Sequence, residues 1–138
     1  MSLAELYDNI KGDVVIPVPD SARPAALGFS EKSGIPMVEG LMKDRYGKRG
    51  SLRSFIQPKY KERLKINRWI IPVRSAVEGK NVIVSGGAAG AGGAASEIFA
   101  REGGHIAIVD VQEKAGVELE KSICDQNGEA FFIKCDVS

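Results

Sequence analysis

Apolar positions in the second half of the chain fall into short runs that alternate with helical stripes. Val82, Ile83 and Val84 form a run of strand length that ends at Ser85-Gly86. Ala91, Ala94, Ala95, Ile98 and Phe99 then recur at helical spacing, and Gly103-Gly104 closes that helix. Residues 105–110, His-Ile-Ala-Ile-Val-Asp, read as a second strand. Residues 112–126 carry Ala115, Leu119 and Ile123 on one stripe, Gln126-Asn127-Gly128 breaks it, and residues 130–136 read as a third strand. The resulting order is β-α-β-α-β. Strands that alternate with helices in this way predict a parallel sheet covered by helices.

The first half is less regular. Val14, Val15 and Ile16 begin a short strand over 14–18, which Pro17, Pro19 and Asp20-Ser21 terminate. Residues 24–33 read as a helix with Pro24 near its first turn and Gly34 closing it. Further strands are expected near 37–42 and 54–57. The expected fold is α/β, a three-layer sandwich with a mostly parallel sheet of about six strands, in an order the sequence leaves open. A boundary near residues 78–80 separates a first half, 1–78, from a Rossmann-like second half, 79–138, the two forming one compact unit. A length of 138 residues with 43% hydrophobic content suits a single core.

The glycine-rich segment carries the most chemistry. Gly86, Gly90 and Gly92 follow directly on the first of the regular strands, so the backbone there can turn sharply, approach a diphosphate and pack the next helix closely. Amides at a helix start attract anions. Asp110 lies 24 residues after Gly86, near the separation at which a carboxylate at the end of the second strand reaches the hydroxyls of an adenosine ribose. It would repel a 2′-phosphate, which favours NAD. The plainer reading is that the glycines make a tight turn and Asp110 is a solvated strand end.

Residues 78–138 resemble the amino-terminal part of a short-chain dehydrogenase/reductase. The resemblance rests on Glu78-Gly79-Lys80, on Ser85-Gly86-xxx-Gly90-x-Gly92 with Ser where Thr is commoner, on Asp110, and on Cys135-Asp136-Val137-Ser138. It implies that Ser85, Gly86, Gly90 and Gly92 bind the cofactor, that Asp110 holds the ribose, and that Asp136 sits beside the adenine. The family's Tyr-xxx-Lys pair, which follows the glycine-rich segment, has no counterpart there, because Tyr7, Tyr46 and Tyr60 all lie upstream; Tyr7 has Lys11 four positions on but precedes that segment. No catalytic residue is therefore assigned, and hydride transfer is not expected from this chain alone.

Residues 1–80 resemble a different family, the phosphoribosyltransferase domain of glutamine phosphoribosylpyrophosphate amidotransferase from purine synthesis. The matching stretches are Asp13 to Leu27, Ser33-Gly34-Ile35-Pro36, Glu39-Gly40-Leu41, Arg45-Tyr46, Ser54-Phe55-Ile56 and Pro72 to Lys80. The resemblance implies that Asp20 and Ser21 hold pyrophosphate and that Arg45 and Tyr46 belong to a loop over the substrate, with magnesium dependence. After Lys80 the family continues into a pair of aspartates and a ribose-phosphate turn, whereas this chain enters the glycine-rich segment. Phosphoribosyl transfer is therefore expected to be absent or poor. The chain reads as a chimera of two nucleotide-binding halves, natural or engineered, and a recombined fold without a ligand stays open.

Charge adds one further feature. The stretch from Lys43 to Arg68 carries ten Lys/Arg against Asp44 and Glu62, while the net charge is only +1. It suits a phosphate cover or a solvated surface, and no nucleic-acid motif accompanies it, so the expected partner is a small nucleotide. No apolar run approaches the length of a membrane span, and residues 1–11 lack a secretory layout, which leads to the expectation of a cytoplasmic protein without a membrane partner. Cys124 and Cys135 have no metal-ligand spacing, so no metal site is expected and the thiols are expected to be reduced. His105 is read as a strand-edge residue, and a homo-oligomer stays open.

Overall fold

A computed structural model describes residues 12–18, 22–43 and 70–136. Its described elements are α1 (Arg23–Ser33), β1 (Leu41–Lys43), β2 (Ile70–Pro72), α2 (Arg74–Val77), β3 (Asn81–Ser85), α3 (Gly90–Arg101), β4 (His105–Asp110), α4 (Glu113–Asp125) and β5 (Glu129–Lys134). The second half forms the expected β-α-β-α-β unit. Its sheet has the order β3-β4-β5 and is parallel throughout, with Val84 opposite Ile108 and Ile108 opposite Phe132.

This register places side chains of even number on one face. Val82, Val84, Ile106 and Ile108 pack there with Ala95, Phe99 and Ala100 of α3 and Ile123 of α4, and Ile106 and Ile108 are fully buried. Burying one such side chain contributes about 1.5–3 kcal/mol. On the opposite face a smaller cluster joins Val109 and Cys135 with Ile83 and Ile133.

Helix ends follow the sequence signals. Pro24 occupies the first turn of α1, and Gly34, at φ 75°, closes it by donating its N–H to the Ser30 carbonyl. Helix α4 ends at Asp125, Asn127 just beyond it is a non-glycine residue at φ 62°, and Gly128 donates back to the Ile123 carbonyl at 3.0 Å. Asn is among the residues that tolerate this left-handed geometry. At the outer edge of β5, the Phe132 N–H donates to the Glu120 carboxylate of α4 at 2.8 Å.

The first half departs from the expected continuous sheet. Residues 14–18 form no named strand, and Val15 makes a single parallel bridge with Met37. Strand β1 begins at Leu41 rather than at 37, and it pairs antiparallel with β2, Met42 opposite Ile71. Proline explains much of the difference, since Pro17 and Pro36 supply no N–H to a ladder. Among the described residues the six-stranded expectation thus resolves into a three-stranded parallel sheet and a separate antiparallel pair. The strand expected at 54–57 lies outside the described residues.

Candidate functional site: the glycine-rich loop

Strand β3 ends at Ser85, and the chain turns at Gly86 (φ 65°) and again at Gly90 (φ 59°), both in the left-handed region that disfavours residues with a Cβ. Gly92 is constrained by space instead. A Cβ there would run into the Gly86 carbonyl oxygen and stand 2.7 Å from its carbon. Gly87 is similarly close, with a hypothetical Cβ 2.6 Å from the Val84 carbonyl oxygen. The loop therefore folds back on the first turn of α3, in an arrangement that side chains would fill.

Helix α3 begins at Gly90 after Ala89, and neither a side-chain cap nor an acidic residue in the first turn neutralises its start. Its 12 residues give it a dipole whose positive end faces the loop. The arrangement suits an anion approached by backbone rather than by charged side chains.

Asp110 ends β4 beside this loop, and it is 92% buried. Its Oδ2 accepts the Ala88 N–H at 3.1 Å, and its Oδ1 accepts the Gln112 N–H at 3.0 Å. The Gly87 N–H donates to the Val109 carbonyl at 3.1 Å, so strand and loop are joined at two consecutive residues. Asp110 is thus no solvated strand end; it holds the loop in place. A carboxylate offers about four acceptor positions, and these two N–H groups use two of them.

Ser96 is the residue the sequence reading missed. It is fully buried on α3, and its hydroxyl lies 3.1 Å from both the Gly87 and the Gly92 carbonyl oxygens, able to donate its one proton to either. The available signal was its position four residues after Gly92, on the stripe shared with Phe99, where a serine must satisfy its hydroxyl locally. Asp136 follows β5 and is exposed, and the adjacent Cys135 N–H donates to the Asp110 carbonyl at 3.1 Å. The structure therefore brings Ser85, Gly86, Gly90, Gly92 and Asp110 to one end of the sheet, with Asp136 nearby in the chain trace.

Asp20, Ser21, Arg45 and Tyr46 lie outside the described residues, as does most of the basic stretch from 43 to 68. Among the described residues no cluster of His, Cys, Asp or Glu suits a metal ion, and no helix is long and apolar enough to cross a membrane.

A strand, a glycine turn, an uncapped helix and an acid at the end of the neighbouring strand together define a Rossmann-type βαβ unit. The family model described as short chain dehydrogenase matches residues 80–138, the part of the chain that forms this unit. The chain is also similar to amidophosphoribosyltransferases. It is 46% identical to that of Pyrococcus horikoshii over 54% of this chain and 15% of the relative. It is 49% identical to that of Methanothermobacter thermautotrophicus over 52% of this chain and 15% of the relative. The chain thus spans about 15% of the length of these curated relatives. A solved glutamine phosphoribosylpyrophosphate amidotransferase from B. subtilis, complexed with ADP and GMP, aligns with 89% of this chain and 32% of its own, at 26% identity and a TM-score of 0.48. The two sequence resemblances, each covering part of the chain, are the pattern of a chimera.

Proposed function

We propose that the chain binds NAD through the loop between β3 and α3. The observation that carries this reading is the backbone cradle itself: positive φ at Gly86 and Gly90, together with a Gly92 whose Cβ would occupy the space beside the Gly86 carbonyl. Ser85, Gly86, Gly90 and Gly92 would hold the diphosphate, with the start of α3 supplying favourable potential. Asp110 would accept from the adenosine ribose with its remaining lone pairs, and Asp136 would lie beside the adenine. NAD carries a nicotinamide able to exchange hydride when a complete active site surrounds it. The chain's own residues bind and orient here, and no proton-donating pair is assigned.

Calorimetric titration of the full chain tests the proposal. NAD is expected to bind, and NADP to bind about tenfold or more weakly because Asp110 meets its 2′-phosphate. Equal affinity for the two, or binding of neither, overturns the reading.

The similarity to amidophosphoribosyltransferases favours a second reading, in which Asp20, Ser21, Arg45 and Tyr46 bind pyrophosphate or phosphoribosylpyrophosphate with magnesium. Stabilisation by pyrophosphate plus magnesium, with none by NAD, would select it.

A further inference from the structure

The peptide group that joins Gly87 to Ala88 is held at both ends by side chains. Its carbonyl oxygen lies 3.1 Å from the Ser96 hydroxyl of α3, and its N–H donates to Oδ2 of Asp110 on β4, also at 3.1 Å. In a planar trans peptide the C=O and N–H point in opposite directions and turn together. A movement that swings the carbonyl off Ser96 therefore swings the N–H off Asp110. The Ser96 hydroxyl has a second acceptor at the same distance, the Gly92 carbonyl one helical turn earlier. That carbonyl takes the i+4 amide in the ordinary helical pattern, whereas the contact with the Gly87 carbonyl is buried, and a buried carbonyl needs a donor. The geometry thus puts the hydroxyl proton to best use on Gly87. Glycine at that position also permits the approach, because a Cβ there would stand 3.2 Å from Ser96 Oγ.

We propose that Ser96 is a positioning residue for Asp110, acting through the Gly87–Ala88 peptide, and that it thereby sets how sharply the site separates a free adenosine ribose from a 2′-phosphorylated one. The inference rests on the NAD reading and deepens it. Two N–H groups fix the Asp110 carboxylate, that of Ala88 on Oδ2 and that of Gln112 on Oδ1. With the first lost, the carboxylate pivots on the second. Ribose hydroxyls need their acceptor in one place, since a hydrogen bond weakens steeply when bent. Repulsion of a 2′-phosphate is Coulombic, falls off slowly with distance and survives a small rotation. The same disturbance therefore costs NAD its ribose contact and leaves the exclusion of NADP nearly as it was.

Ser96→Ala removes the hydroxyl and keeps a good helix former. Hydrogen exchange of the free protein, followed by NMR, should show the Ala88 amide exchanging about tenfold faster or more, while the Gly87 amide, which donates to Val109 from the preceding peptide, stays within about twofold of the parent. Titration calorimetry should show NAD weakened about three- to tenfold, the equivalent of one net hydrogen bond, and NADP changed by no more than about twofold. Ser96→Cys, which keeps a weaker donor in place, should fall between parent and Ser96→Ala in both measurements, and it carries the comparison with the parent if Ser96→Ala does not fold. Unchanged exchange at Ala88, equal acceleration of Ala88 and Gly87, or equal weakening of the two dinucleotides would overturn the proposal, the last two being what a merely structural role produces. Failure of the unmodified chain to bind either dinucleotide would overturn the NAD reading and the discrimination that rests on it, while exchange at Ala88 would still decide whether Ser96 positions Asp110.

Discussion

Gly92→Ala puts the proposed cradle under direct test. The position is helical, so intrinsic propensity alone would make Ala more favourable than Gly by about 1 kcal/mol. The added Cβ, however, would collide with the Gly86 carbonyl oxygen and stand 2.7 Å from its carbon. Both are backbone atoms, so relief requires the loop or the first turn of α3 to move, and steric overpacking of this kind costs about 1–3 kcal/mol or more. The loop has little freedom to move, because Gly87 donates to Val109, Ala88 donates to Asp110 and Ser96 contacts the Gly87 carbonyl. Because the clash is with backbone atoms, its cost lies at the upper end of that range, and the balance is a destabilisation of about 2 kcal/mol despite the better helix former, or a fall in Tm of roughly 6–10 °C. NAD affinity should fall by about tenfold or more, because the amides proposed to face the diphosphate move with the loop. Differential scanning calorimetry gives the first quantity and titration calorimetry the second. A variant as stable as the parent, with unchanged NAD affinity, would show that the approach of α3 to the loop does not shape the site.

Three further outcomes are expected. Asp110→Asn presents one amide NH2 where a carboxylate oxygen now accepts from Ala88 or Gln112, so it should cost about 1–3 kcal/mol by denaturant unfolding and bring NAD and NADP affinities together. Ile108→Ala, at a fully buried position on the central strand, should cost about 2–5 kcal/mol in the same assay, and a cost under about 1 kcal/mol would contradict the core assignment. The hydrogen bond from Lys134, and then its charge, hold the Glu113 carboxyl below its usual range. The contribution of that pair to stability is therefore fully present above the unfolded carboxyl pKa and lost as pH falls through the lowered folded value. Unfolding curves of the parent and of Glu113→Gln should accordingly converge in acid and separate toward neutrality.

The parts of the structure that were legible in the sequence are those governed by local rules. The second half follows a strict alternation of strand and helix, and its glycines punctuate at the right places, so β3 to β5 and both intervening helices fall within two residues of expectation. Helix α1 was legible for the same reason, through Pro24 and Gly34. Strand pairing was not. Residues 14–18 carry the apolar residues of a strand, yet whether they zip onto β3 depends on contacts distant in sequence, and Pro17 and Pro36 limit the ladder they can form. At the site, the glycine positions were evident because backbone geometry demands them. The part that Asp110 plays in fastening the loop was not, since a strand-terminal acid looks the same in sequence whether it faces ligand or backbone. Ser96 was hidden by its surroundings, a small polar residue in a run of alanines whose partner carbonyls only the folded loop supplies.

The carboxylate of Glu120 at the margin of β5 has a consequence for how the molecule behaves in company. A strand that ends a sheet offers its amides to any extended segment that drifts past, which is how soluble proteins become templates for aggregates. Here the Phe132 amide is already claimed from within the same molecule. Glu120→Ala should leave the monomer folded but make concentrated solutions prone to associate through that rim.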